Sequence, residues 1–151
     1  MPVAEANLRS VQRIEDWLYR SIEVYRTIGV ETVLSTDKYR RLVETARGRG
    51  FRTRMAFVFL DSAERQLDRI RIRVEEGGHD VPEDAVRRRR VRSFEQLAWF
   101  AVNMDTCDVY DNSAGVPMLV GSTVDGRLRV CGALPSDLSR ILTEADALDH
   151  G

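Results

Sequence analysis

A run of consecutive apolar residues, Met55 to Leu60, constrains the fold of this chain most strongly. Such a run is typical of a strand whose two faces are both covered, as in a parallel sheet. Asp61, Ser62 and Glu64 follow it in a capping-box type of pattern, which predicts that a helix begins directly after the strand. The run therefore predicts a strand and helix that belong to the core of the fold.

Further apolar periodicities alternate between helical and extended patterns along the chain. This alternation predicts a single α/β domain, residues 1–151, in which helices flank a parallel sheet. Asp125 and Gly126 predict a hairpin turn between the last two strands. The predicted helices are residues 5–25, 36–46, 63–74 and 94–101 and one from Ser136, and the predicted strands are residues 28–34, 55–60, 106–110, 118–120 and 128–130.

Arginines are concentrated after a turn that contains two glycines. Gly77 and Gly78 let the backbone turn sharply, and Pro82 suits the first turn of a helix. The run Arg87 to Arg90 and then Arg92 follow. Guanidinium groups contact phosphate in a planar, bidentate way, so this segment is a candidate site for a phosphoryl group. The alternative is a solvated helix face, which we expect for at least two of the four consecutive arginines because successive helical positions point in different directions.

The ordered set of motifs around these two features resembles the zeta-toxin-like P-loop kinases. The resemblance extends from about Leu8 to Val120, and its specificity comes from the order of the motifs. It implies a P-loop kinase-like parallel sheet flanked by helices, with residues from about 76 to 92 forming an arginine-rich lid. The matching segments are Arg13-Ile14-Glu15, Glu31-Thr32, Leu34-Ser35, Gly50-Phe51, Leu60-Asp61-Ser62, Arg73 to Pro82 and Asp111-Asn112-Ser113.

The resemblance also implies an activity. Members of this family use ATP and Mg²⁺ to move the γ-phosphate to a small hydroxylated acceptor, such as a nucleotide-activated amino sugar. A small phosphorylated or nucleotide-sugar ligand is therefore the expected partner of this chain. The residues assigned by the resemblance are Arg73 and Arg89 for catalysis, Glu31, Thr32, His79 and Arg92 for substrate binding, and Asp111 and Asn112 for the cofactor.

Several of these residues have a plainer structural interpretation. Glu31 and Thr32 would simply end a strand that packs on a helix cap. His79 would stabilise the turn through a hydrogen bond. Asp111 and Asn112 would belong to an ordinary turn, for which their residue types are suited.

The sequence departs from the family pattern in an essential part. No G-x-x-x-x-G-K-[ST] run, whose amides cradle phosphates and whose lysine reaches the β and γ groups, occurs in the chain. Lys38, the only lysine, follows Thr36 and Asp37 rather than glycines. By the resemblance, this loop and the catalytic Asp would precede the first helix, where only Met1 to Ala6 stand. We therefore expect no phosphoryl transfer by this chain alone, with the loop segment truncated, encoded separately or lost.

The same departure predicts association with another chain. By the resemblance, the phosphate-loop strand lies in the middle of the sheet, so its absence would expose a sheet edge. A second copy of the chain or a missing N-terminal half would cover that edge. We therefore expect a homo-oligomer or a complex with such a partner.

Two other function classes stay open at this stage. The first is a module that binds nucleic acid or phosphate through the arginine run, and the second is a non-catalytic regulator of a complete kinase. The formal net charge of -1 gives no overall attraction to nucleic acid. Glu75, Glu76 and Asp80 lie beside the run and would repel a phosphate backbone, so nucleic acid is not the expected partner.

The cysteines and the apolar segments bear on the compartment. Cys107 and Cys131 form neither a metal-spaced cluster nor a disulfide framework, which favours a reducing environment and predicts no metal site built from cysteines. No apolar segment approaches the length that crosses a bilayer. These features predict a cytoplasmic protein without a membrane partner.

Overall fold

The computed structural model of the chain describes residues 3–151, which fall into two compact units. The described part of the first unit covers residues 3–32 and 38–52, and the second unit covers residues 33–37 and 53–151. The elements in chain order are α1 (Val3–Glu23), α2 (Arg40–Gly48), β1 (Arg54–Phe59), α3 (Ala63–Glu75), α4 (Glu83–Asn103), β2 (Thr106–Asp111), β3 (Met118–Val124), β4 (Arg127–Val130) and α5 (Ser136–Glu144).

The first unit is a pair of helices with its own small core. Leu18 and Ile22 of α1 pack with Leu42 and Ala46 of α2. The helix predicted at residues 5–25 is therefore confirmed, but only its last turns bury the predicted apolar face. The more N-terminal members of that face, Leu8, Val11 and Ile14, are exposed.

The strand predicted at residues 28–34 is wrong. Residues 26–35 form neither helix nor strand. Tyr25 and Leu34 both have a positive φ, which breaks the extended conformation at each end of the segment. The predicted start of the next helix is also displaced, because α2 begins at Arg40 without a side-chain cap. The helix ends at Gly48, close to the predicted end, and Gly50, with a φ of 84°, lets the chain leave it.

The second unit contains a four-stranded sheet in the order β1-β2-β3-β4. β1 and β2 are parallel, whereas β3 and β4 are antiparallel to their neighbours. The prediction of an α/β fold is therefore confirmed, but the sheet is mixed rather than wholly parallel. The predicted hairpin turn between β3 and β4 is confirmed, since Asp125 and Gly126 both have the positive φ that such a turn requires.

The apolar strand β1 lies at an edge of this sheet and has one buried face. Phe57 and Phe59 are buried, whereas Ala56 is exposed and Val58 is 52% exposed. The prediction that both faces of this strand are covered is therefore wrong. The buried face continues across β2 and packs against helix α4. The fully buried side chains of the resulting core include Leu97, Cys107, Val109, Leu128, Leu138 and Leu142.

The helix after β1 begins as the sequence predicts. Ser62 precedes α3, and its side chain accepts a hydrogen bond from the backbone N–H of Arg65 at 3.2 Å. The arginine run and the predicted helix at residues 94–101 belong to one continuous helix, α4. The segment expected to form a lid therefore comprises the α3–α4 turn and the first half of α4. The second half of α4 belongs to the core.

The turn after α3 depends on two glycines. Gly77 has a φ of 94°, and the N–H of Gly78 donates to the carbonyl of Arg73 at 2.7 Å. A second bond joins the N–H of Gly77 to the carbonyl of Val74, which completes a Schellman C-cap. A Cβ on Gly78 would lie 2.8 Å from the carbonyl oxygen of Arg73.

Substituting Gly78 by alanine is therefore expected to destabilise the protein by about 1–2 kcal/mol, because the backbone of the turn must shift. Gly48, in the last turn of α2, has open space where a Cβ would stand. Gly48→Ala should stabilise the protein by several tenths of a kcal/mol or more. Urea unfolding of both variants measures the contrast. An unchanged midpoint for Gly78→Ala would contradict the described cap.

Candidate functional site

Two of the four consecutive arginines are neutralised on the surface of α4. Arg87 donates to Glu83 at 2.8 Å and to Glu64 at 2.9 Å, and Arg88 pairs with Asp84. These five side chains are exposed. The interpretation as a solvated helix face is therefore confirmed for Arg87 and Arg88.

Arg90 is the buried member of the run and joins four parts of the second unit. It is only 5% exposed, and its Nε lies 2.7 Å from the carboxylate of Asp137 at the start of α5. Its Nη1 donates to the carbonyl of Leu60 at 2.6 Å and to the side chain of Gln66 at 3.1 Å. The guanidinium also stacks over the ring of Phe94 at 4.6 Å. Arg90 thus fixes α4 against the end of β1, α3 and α5.

The pair between Arg90 and Asp137 also determines the charge of the carboxylate. Partial burial acts to raise the pKa of Asp137, but the hydrogen bonds and the positive charge of Arg90 outweigh it. The pKa of Asp137 therefore lies below its ordinary value, and the pair is charged at neutral pH.

The guanidinium groups of Arg73, Arg89 and Arg92 are exposed, and they form no hydrogen bond or ion pair with any part of the chain that the structure describes. Arg89 and Arg92 lie three positions apart on α4, so the structure places them as neighbours on one helix face. Arg73 lies on another helix, in the last turn of α3. All three arginines that the resemblance singled out therefore retain free donors.

His79 lies in the turn between α3 and α4 and is exposed. Other groups stabilise this turn. The N–H of Gly78 bonds to the carbonyl of Arg73, and the carboxylate of Asp80 accepts the N–H of Val81 at 2.8 Å. Within residues 3–151, the imidazole makes no hydrogen bond that would explain it as part of the turn.

The carboxyl ends of the parallel strands β1 and β2 are tied together by polar groups. Asp111 accepts hydrogen bonds from the backbone N–H and the hydroxyl of Ser113. The same hydroxyl accepts the N–H of Asp61 at 2.9 Å, and the N–H of Asn112 donates to the carbonyl of Phe59 at 3.0 Å. Asp111 therefore stabilises a turn, as in the plainer interpretation of this motif.

Two arginines that the sequence reasoning did not single out complete this strand-end cluster. Arg69 donates to the carbonyl of Asn112 at 2.6 Å, and Arg65 pairs with Asp61 at 2.8 Å. The hydrogen bond from Arg65 lowers the pKa of Asp61 below its ordinary value. The side-chain oxygen of Asn112 is buried without a partner. The carboxylate of Asp111 is an acceptor that already receives two hydrogen bonds from Ser113, so it offers a phosphate no donor.

Glu31 and Thr32 belong to the first unit. Both side chains are exposed in a segment without regular structure. The strand that was expected to place them beside an acceptor is absent.

Cys107 is buried, whereas Cys131 is exposed. Both are free thiols, and burial raises the pKa of Cys107 to about 12, which keeps it protonated.

Within residues 3–151, no group of three or more His, Cys, Asp or Glu side chains is arranged to hold a metal ion. The helices of this described part of the chain include none that is both long and apolar enough to cross a membrane.

Comparisons of the chain with protein-family models, with curated proteins and with solved structures find no match. The resemblance to zeta-toxin-like kinases and the expected use of ATP and Mg²⁺ therefore stay predictions.

Proposed function

We propose that the second unit binds a phosphate-bearing small molecule on the exposed face of α4 that carries Arg89 and Arg92. The supporting observation is the pattern of pairing within the arginine-rich segment. Arg87, Arg88 and Arg90 have carboxylate partners, whereas Arg89 and Arg92 have none in the described residues. Unpaired guanidinium groups are the donors that a phosphate accepts best.

The placement of the two arginines suits adjacent phosphate groups. Side chains three positions apart on a helix stand about 5–6 Å apart at their Cβ atoms, so two guanidinium groups can reach one diphosphate. The helix that carries them is held in place by buried Arg90, which bonds to Asp137 and Leu60. A fixed scaffold lowers the entropy lost when the ligand binds.

The size of the unpaired basic area favours a small ligand over nucleic acid. Glu83 and Glu64 neutralise Arg87, and Asp84 pairs with Arg88. Binding along a nucleic-acid backbone requires contacts to many successive phosphates. A di- or triphosphate group needs only a few such contacts.

The proposal concerns binding rather than phosphoryl transfer. The resemblance implies that Arg73 and Arg89 of the lid contact the phosphate during its transfer. The proposal keeps the contact with phosphate and leaves out the transfer. The sequence has no phosphate loop that would place ATP and Mg²⁺ for reaction. We therefore assign no reaction to these residues.

Replacing Arg89 and Arg92 together by alanine is expected to weaken the binding of pyrophosphate or ATP at least tenfold, because two charge-assisted hydrogen-bond donors are lost. Isothermal titration of the wild-type chain with pyrophosphate, then with ATP in the presence and absence of Mg²⁺, gives the reference affinities. Arg73→Ala tests in the same way whether the arginine on α3 takes part.

The matched control is the double variant Arg87→Ala with Arg88→Ala, which removes the same number of charges from the same helix. It should keep the wild-type affinity to within a few fold, because those two arginines are paired with carboxylates. Equal losses in both double variants would mean a general effect of net charge and would contradict the site. No heat of binding in the wild type would also contradict it. Tighter, strongly salt-dependent binding of generic single-stranded RNA would favour the nucleic-acid alternative instead.

A further inference from the structure

Strand β1 presents one row of backbone groups away from the sheet. The carbonyls of Thr53 and Phe59 accept hydrogen bonds from β2 and the residue after it, at 3.1 and 3.0 Å. Backbone groups alternate sides along a strand, so the intervening residues Arg54, Ala56 and Val58 direct their N–H and C=O groups to the opposite side. Because the sheet order ends at β1, no strand of the described chain lies there.

The residues of this edge offer little protection against pairing. Ala56 is exposed and Val58 is 52% exposed, and β1 contains neither proline nor lysine. The register irregularity in the sheet lies between Val109 and Tyr110 of β2, not in β1. Short edges, prolines, lysines and bulges are the usual means by which proteins prevent strand addition. In β1, the only charged side chain is that of Arg54.

The charges at the two ends of β1 favour an identical partner in the antiparallel direction. Arg54, at the start, is exposed and has no partner in the described residues. Asp61, just beyond the end, is half-exposed and shares its carboxylate only with Arg65 among charged groups described. A carboxylate has further lone pairs for a second guanidinium. A two-fold axis at Phe57 would pair Ala56 with Val58 and place each Arg54 opposite Leu60, next to Asp61, of the other copy.

We propose that a second copy of this chain pairs antiparallel along β1, joining the two sheets into one across a two-fold axis. The outward groups of Arg54, Ala56 and Val58 would supply the hydrogen bonds, and the exposed side chains of Ala56 and Val58 would lie against those of the partner strand. This association is independent of anion binding on α4, because it uses the backbone edge of β1 and none of the arginines of α4.

Multi-angle light scattering and sedimentation equilibrium over a range of concentrations test the proposal. The wild type should form a dimer. Ala56→Pro removes one outward N–H and leaves the bonds between β1 and β2 in place, so it should weaken the dimer at least tenfold. Ala56→Ser keeps that N–H and is the matched control, which should associate like the wild type.

A second pair of variants keeps the test decisive if Ala56→Pro loses its far-UV circular dichroism. Val58→Lys places a charge on the edge, whereas Met118→Lys places the same charge on β3, which is an interior strand with an exposed Met118 side chain. Dissociation in Val58→Lys but not in Met118→Lys supports the edge. A wild type that stays monomeric at every concentration, or a folded Ala56→Pro or Val58→Lys that associates normally, overturns the proposal.

Discussion

Replacing Arg90 by methionine is expected to lower the free energy of unfolding by about 3 kcal/mol. Methionine has a comparable length but cannot donate a hydrogen bond. The substitution leaves the carbonyl of Leu60 and the side chain of Gln66 without their donor, and it removes the cation from Asp137. The loss should fall at the lower end of the range for broken buried pairs, because the side chain of Asp137 is 39% exposed and can be hydrated.

Urea unfolding at neutral pH measures this loss, and Arg88→Met is the matched control. Arg88 stands two positions away on the same helix and pairs with exposed Asp84, so its replacement should leave the stability nearly unchanged. Combining Arg90→Met with Asp137→Asn should cost less than the sum of the single losses, because the two side chains interact directly. Similar losses for Arg90→Met and Arg88→Met would contradict the buried position of Arg90.

Acid should reduce the difference between the wild type and Arg90→Met. The pKa of Asp137 is lowered in the folded state from an ordinary value of 3.8. A lowered folded-state pKa stabilises the protein above the unfolded value, and this stabilisation is lost as the pH falls through the folded value. The two proteins should therefore differ most near pH 7 and less below about pH 4.

The local pattern of apolar residues was enough to predict most elements of the second unit. The helix after Ser62, the strand at Thr106, the hairpin turn at Asp125 and the helix from Ser136 all appear where the sequence placed them. The helix after Ser62 and the hairpin turn each depend on a capping or turn residue next to the element itself. Such signals act within a few residues and do not require knowledge of what packs against the element.

The neighbours of an element could not be predicted in the same way. Met55 to Leu60 is apolar throughout, and such a run does not reveal that Ala56 and Val58 face outward at a sheet edge. The segment 28–34 also has apolar residues, but no strand of the described chain pairs with it. Strand formation depends on a hydrogen-bonded neighbour, so composition alone overestimates it.

The sequence predicted the arginine-rich segment but not the role of each arginine. Arg90 lies four positions after Val86 and four before Phe94, both of which are buried. This helical spacing was the signal that could have assigned Arg90 to the core. The partners of Arg87 could be anticipated only in part, since Glu83 lies on the same helix whereas Glu64 comes from α3. Contacts between helices depend on the fold.

Replacing Leu97 by alanine is the second change with a large expected effect, a loss of about 3 kcal/mol in the free energy of unfolding. Leu97 is fully buried on the face of α4 that packs against the sheet. Removing most of its side chain forfeits the burial of apolar surface and leaves a cavity that close-packed neighbours fill only partly. A thermal or urea unfolding curve of the variant measures the loss.

Val91→Ala is the matched control, because Val91 lies on the same helix and is 42% exposed. Its replacement also shortens an apolar side chain and also introduces a better helix former, but it should change the stability by less than about 1 kcal/mol. The contrast between the two variants tests how α4 is oriented about its axis. The same orientation directs Arg90 inward and Arg89 and Arg92 toward solvent. A small loss for Leu97→Ala together with a large one for Val91→Ala would mean that the helix is rotated, and the proposed anion-binding face would then be wrong as well.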